Sequence, residues 1–331
     1  MPKTVTTTPE KENSAIETEI QETSIETDTC KEDTKKQKKK KRKYRLGDRH
    51  DGYRVRDLDL PFMIIPNIMR TRVDSQVFFN IPIDIEVLEK YVRQKRRDGI
   101  PDIRLMHVFI AALVRMFATR PRVNRFVSGK KIYAHKDISF SMSVKRSLTD
   151  NGEETEICPV FEPTDTIYEI TEKFNNAWKE VLVKEDGKDH GTDKLNRIVG
   201  VVPTFLKTFI VFALRNLDKV GLMPKIVTKL SPFHASAYVT DVGSLGIDSI
   251  YHHLYEFGTC SCFMAIGKKQ YVPFVKDDGT LGEKKVINLR FVLDERICDG
   301  HYYANSLKAF RRLLKHPELL ELPPENIPDE I

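Results

Sequence analysis

The chain predicts an α/β protein, and four stretches carry that prediction. Val286 to Leu293 place apolar or β-branched residues at every second position, as a strand with one buried face requires. From Tyr303 onward, Ala304, Leu307, Phe310, Leu313 and Leu314 recur at three and four positions and share one helical face. Val77, Phe79, Ile81, Ile83 and Ile85 repeat the strand alternation, and Pro82, which has no amide to donate, puts that strand near a sheet edge. Leu105 to Thr119 are apolar nearly all round, which predicts a helix lying deep in the core. Strand and helix patterns interleaved in this way give layered α/β architecture.

With 331 residues, 40% of them hydrophobic, the chain can bury one large core or two small ones. Residues 1–45 stand apart. The leader to Asp33 has few large apolar side chains to offset its ordering entropy, so the segment is expected to be a disordered tail, acidic and then basic. Its basic cluster, within Lys35 to Arg45, holds much of the net charge of +6 and reads more readily as a solvated tail than as a nucleic-acid or anionic-membrane contact or a nuclear address; with no aromatic before Tyr44, no specific nucleic-acid binding is expected. The start has neither the apolar segment of a secretory signal nor the acid-poor composition of a transit peptide. Cys30, Cys158, Cys260, Cys262 and Cys298 form no metal pattern, and their odd number suits a reducing compartment, so the expected location is cytoplasmic and no metal is expected.

Residues 46–331 form the expected folded domain. Asp84 can cap a helix over Glu86 to Arg97. His107, alone on an apolar helix, reads as a satisfied core residue, and Trp178, beside Tyr168, Ile170, Phe174 and Val181, as core. At about 184–232 a charged loop precedes an apolar run, Ile198 to Leu214. It is shorter than the ~20 residues of a membrane span and is interrupted by Pro203 and Lys207. This segment reads as a helical insert covering the domain or a subunit contact. The rival is an interfacial helix on a membrane surface, flanked by Lys194, Arg197, Arg215, Lys219, Lys225 and Lys229.

Two turns carry the candidate chemistry. Asp294, Glu295, Arg296, Asp299 and His301 crowd the turn between a buried strand and a buried helix face, more polar groups than packing alone would place there. In H-A-S-A-Y-V-T-D-V-G-S-L-G, His234 to Gly246, a strand ending at Thr240 runs into a glycine turn whose backbone can approach a ligand closely. His252, His253 and His301 read better as structural or surface histidines than as bases.

The stretch D-E-R-I-C-D-G, Asp294 to Gly300, resembles the C-terminal signature D-H-R-x-x-D-G of the 2-oxo acid dehydrogenase complex dihydrolipoyl acyltransferases, within the chloramphenicol acetyltransferase-like superfamily. The order of elements resembles the same family over about residues 60–183 and 234–322, through a P-x-L-N-like turn at Pro121 to Asn124 and a strand at Asp137 to Val144. The resemblance implies a two-layer α/β sandwich with a mixed sheet, acyl transfer with coenzyme A or acyl-CoA as substrate, and a homotrimer with active channels between subunits. Glu295 stands where the family has its catalytic His; Thr240 falls on the Ser or Thr that donates to the oxyanion, with Asp241 for the family's Asn. Asp299 takes the structural role, ion-paired to an Arg from the start of the domain, here Arg70 or Arg72. A carboxylate is ordinarily a weaker base than imidazole, so a non-catalytic trimeric CoA-binding or scaffold relative is the alternative. No lipoyl hairpin or subunit-binding domain is recognisable, so no covalent lipoate is expected.

Overall fold

In chain order, β1 (Gly52–Arg54) and α1 (Leu60–Ile68) lead to β2 (Gln76–Asp84), α2 (Glu86–Arg97) and α3 (Leu105–Thr119). Then come β3 (Arg125–Ser128), β4 (Lys131–His135), β5 (Ile138–Lys145), β6 (Glu154–Ile157), β7 (Val160–Phe161) and α4 (Ile167–Val183). The chain closes with α5 (Thr204–Lys219), α6 (Lys225–Leu230), β8 (Ala237–Asp241), β9 (Cys262–Val275), β10 (Leu281–Asp294) and α7 (Gly300–Lys315). This computed structural model describes residues 43–145, 154–183 and 202–328. The tail expected over residues 1–45 therefore lies almost wholly outside the described residues, as does the first part of the insert, 184–201.

The main sheet runs β2-β10-β9-β8-β5-β6, with β7 also paired to β5. β8 is parallel to both neighbours and the other pairings are antiparallel, so the sheet is mixed. β2 is its edge strand, where Pro82 costs no ladder hydrogen bond. A smaller sheet, β1-β4-β3, stands beside it.

Helices cover one face of the main sheet, giving the two-layer α/β sandwich. Val239, Met264, Leu289 and Phe291 point into the large core shared with α3, which is buried from His107 to Ala118. Residues of opposite parity, Tyr238, Phe263 and Val292, join a small cluster on the other face under Leu254 and Tyr255. The one charge in the buried helix, Arg115, is satisfied by the carbonyls of Leu319 (3.1 Å) and Leu322 near the C-terminal end. Asp84 accepts the Glu86 amide at 3.1 Å at the start of α2, although Ile85 holds the cap position itself.

The described part of the insert contains the helices α5 and α6 and packs on the domain through Asp218 and Met223, both buried. Phe205, Phe209, Ile210, Val211 and Phe212 of α5 are exposed, and its buried residue is Asp218.

Candidate functional site

β10 ends at Asp294, and the turn beyond it is locked from several sides. The fully buried Asp294 carboxylate accepts from Arg296 Nε (2.8 Å) and Nη2 (2.7 Å), from Ser75 Oγ (2.9 Å) and from the Arg296 amide (3.1 Å). Burial alone would lower the basicity of Arg296, but its bonds to Asp294 outweigh that and raise it. Tyr303 Oη donates to the Asp294 carbonyl at 2.6 Å, and the Glu295 amide donates to the Ser75 carbonyl at 2.8 Å. Glu295 is half-buried on this fixed turn.

The ion pair expected between Asp299 and Arg70 or Arg72 does not form. Arg72 is buried and donates to the carbonyls of Tyr255 (2.9 Å), Glu256 (3.1 Å), Gly258 (2.7 Å) and Val127 (3.3 Å). Burial lowers its basicity, against the opposing charge of Asp294. Arg70 is exposed. Asp299, also exposed, caps α7 by accepting the Tyr302 amide at 2.8 Å. The physical reason is that a helix start needs an acceptor and the turn at 255–258 needs a donor, so each side chain serves its own backbone. The buried pair of this turn is Asp294–Arg296, two residues apart in one strand end.

Thr240 sits near the end of β8. By strand period it shares the face of Tyr238, while Asp241 shares that of Val239, toward the helices. Burial raises the Asp241 pKa against hydrogen bonds from the amides of Ser244 and Gly243. In the turn that follows, a Cβ on Gly243 would stand 2.4 Å from the Gly267 carbonyl oxygen, so only glycine lets the turn lie this close to β9.

Thr240, Asp241 and this turn line a cavity of about 1400 Å³ between the sheet and α2, α3 and α4. Arg93, Arg96, Arg104, Lys268, Lys269 and Lys285 give its wall a positive excess over Glu89 and Asp241. Lys269 and Lys285 are bound to Glu89 at 2.7 and 2.8 Å. His107 also lines it, as a capping residue: Nδ1 accepts the Arg104 amide at 2.9 Å. Burial, with Arg104 beside it, lowers its pKa to about 4. Trp178 packs against the core and lines the same cavity.

Within one chain, Glu295 and Thr240 are far apart. Tyr238, Phe263 and Val292 lie level across β8, β9 and β10. Thr240 is two residues beyond that level in one direction and Glu295 three beyond it in the other, about 17 Å along the strands, with two strand spacings of about 5 Å between them. His252 lies on the same outer face, its ring stacked on Phe263 at 4.4 Å. Its Nε2 is buried without a hydrogen-bond partner among the described residues. His253 meets Tyr255 edge-on, and His301 is exposed beside Asn305.

Residues 233–322 match the family model for the 2-oxoacid dehydrogenases acyltransferase (catalytic domain). That segment runs from before Thr240 to beyond α7, and it carries an acyltransferase catalytic-domain signature of the 2-oxoacid dehydrogenase type. Among solved structures, the chain is similar to a probable dihydrolipoamide acetyltransferase from Listeria monocytogenes, at 13% identity and a TM-score of 0.49, over 79% of this chain and 94% of that one. It is similar also to a truncated catalytic core of the 2-oxoacid dehydrogenase multienzyme complex from Thermoplasma acidophilum, at 9% identity and a TM-score of 0.48, over 80% and 98%. A chloramphenicol acetyltransferase aligns at 10% identity and a TM-score of 0.45, over 80% and 99%. No curated protein matches the chain in sequence. Among the described residues no cluster of His, Cys, Asp and Glu could hold a metal ion, and no helix is long and apolar enough to cross a membrane.

Proposed function

We propose that the protein transfers an acyl group from coenzyme A, at sites assembled between copies of the chain. The observation that carries this reading is that the segment matched by the acyltransferase model holds both Glu295 and Thr240, at opposite ends of β10 and β8, the two strands that flank β9. Proton transfer needs heavy atoms about 3 Å apart, so the two can act together only if one copy supplies Thr240 and a neighbour supplies Glu295, as in a homotrimer. Glu295 takes the proton of the attacking acceptor, which adds to the thioester carbonyl. Thr240 Oγ1 donates to the resulting oxyanion, and the C–S bond then breaks, the CoA thiolate leaving with the proton that Glu295 returns. The basic cavity beside Thr240 supports binding of the phosphate-bearing end of CoA. Asp299 acts indirectly, by fixing the start of α7.

A second reading rests on Glu295 itself, which replaces the imidazole base of the resembling family: a CoA-binding relative that keeps the assembly without turnover. Calorimetric titration with CoA and acetyl-CoA, then a thiol-release assay on wild type, Glu295→Gln and Glu295→His, separates the two. Acyl transfer predicts binding, turnover, and a loss of about 10²- to 10⁴-fold in Glu295→Gln. Binding without turnover, with activity gained in Glu295→His, establishes the second reading. Absence of CoA binding overturns both.

A further inference from the structure

α5 turns its apolar side away from the protein. At 100° per residue, Phe205, Leu206, Phe209, Ile210, Phe212 and Leu217 fall within an arc of about 160°. All six are exposed, Phe205 by 77% and Phe209 and Phe212 by 63% each. The opposite side is held in part: Asp218 is buried against Arg49, and Lys207 and Leu214 are half-buried, while Val211 on that side is exposed. An apolar stripe of this width ordinarily faces a core, and left in water it marks a contact surface.

The charges around it select the contact. From residue 202 to residue 230 the charged side chains are Lys207, Arg215, Lys219, Lys225, Lys229 and Asp218. The single acid is the buried one, paired to Arg49 at 2.6 Å, so the segment offers no exposed carboxylate of its own. Among the described residues, Arg215 has an acidic neighbour, Glu256, at 4.0 Å. Two copies meeting through this face would bring rims of like charge together, whereas an anionic bilayer matches both the apolar arc and its cations.

We propose that α5 lies along an anionic lipid surface, with Phe205, Phe209 and Phe212 below the headgroups and Lys219, Lys225 and Lys229 at phosphate level. Sixteen residues make a helix of about 24 Å, which can lie on a bilayer but cannot span it. The basic run from Lys35 to Lys43 gives the same chain a second electrostatic signal, and peripheral attachment generally needs two.

The test is flotation of the full chain with vesicles of phosphatidylcholine alone and of equimolar phosphatidylcholine and phosphatidylglycerol. The comparison is a variant combining Phe205→Ser, Phe209→Ser and Phe212→Ser. Wild type should float only with the anionic vesicles, and the variant should lose at least about tenfold in partitioning while keeping its melting temperature and sedimentation coefficient. Three results overturn the proposal: wild type that stays below the vesicles, a variant that floats equally well, or a variant that sediments as a smaller species with lipid affinity unchanged. The last would make the face a contact between copies.

Discussion

The Asp294 carboxylate and the Arg296 guanidinium, on either side of Glu295 in the chain, form a two-pronged ion pair, Oδ1 to Nε at 2.8 Å and Oδ2 to Nη2 at 2.7 Å. Both side chains are buried, so neither is compensated by water if the other is lost. Arg296→Met should therefore destabilise the protein by about 3–5 kcal/mol, the cost of leaving one charge of a buried pair alone. Urea unfolding of Arg296→Met, Asp294→Leu and the double variant would check it. The double variant should be less damaged than the two single losses added together, because removing both charges leaves none stranded.

Gly243 and Gly267 touch backbone to backbone at the rim of the cavity. A methyl group on Gly243 would lie 2.4 Å from the Gly267 carbonyl oxygen and 2.9 Å from the Lys268 amide nitrogen, and no side-chain movement relieves that. Gly243→Ala should cost about 1–3 kcal/mol of stability and weaken CoA binding by shifting the turn after Thr240. Calorimetry on the folded variant reads the second effect and thermal unfolding the first.

Two histidines set an acid limit. Burial lowers the pKa of His107 to about 4 and that of His135 to about 4, the latter against the opposing pull of Asp51 and of the Thr259 carbonyl. Both folded values lie below the ordinary 6.5, so across that interval the unfolded chain binds more protons than the folded one. Their stability contribution is complete above about pH 6.5 and is lost as pH falls toward 4, by roughly 3 kcal/mol for each histidine. His107 accepts the Arg104 amide through Nδ1, a bond that protonation abolishes and that a glutamine at this helix position can also make. His107→Gln should flatten the fall in urea-unfolding stability between pH 6.5 and pH 4 without lowering stability at pH 7.5 by more than about 1 kcal/mol.

What the sequence displays and what it hides follow from the range of each interaction. The strand at Val77 to Ile85, the helix at Leu105 to Thr119 and the helix after Asp299 are legible because apolar periodicity is local; the helix at Leu105 to Thr119 appears with the expected ends and the other two with shifted ends. The edge position of β2 is legible from Pro82 alone. The partner of Arg72 is not legible, because it depends on four carbonyls, three of which lie more than 180 residues away. The distance between Thr240 and Glu295 is likewise hidden, since it depends on strand order and register. The outward face of α5 could not be read from composition: an apolar helix looks the same whether its partner is the domain, another copy or a lipid surface. The signal that could have separated them was the charge imbalance from residue 202 to residue 230, which becomes decisive only once Asp218 is known to be buried.

Asp218 is also the anchor of that helix, and its titration can be followed. Burial would raise its pKa, but the neighbouring His234 ring and the Arg49 guanidinium outweigh burial and hold it down to about 2. Because the folded value lies below the ordinary 3.8, the contribution is complete above about pH 4 and is lost as pH falls through about 2, roughly 2 kcal/mol in all. Arg49 also keeps Asp51 at 2.8 Å, so Asp218→Asn does not strand the guanidinium. The variant should lose about 2 kcal/mol at pH 7 and lose stability less steeply than wild type between pH 4 and pH 2. Since Ser128 Oγ and Arg49 Nη1 both donate to the Asp218 carbonyl, which the substitution leaves in place, α5 should remain helical while its C-terminal end loosens. Amide hydrogen exchange should accordingly quicken in the last turn of α5 and remain at the wild-type rate in α3; equal protection of α5 in both proteins would show that the carboxylate does not hold the helix.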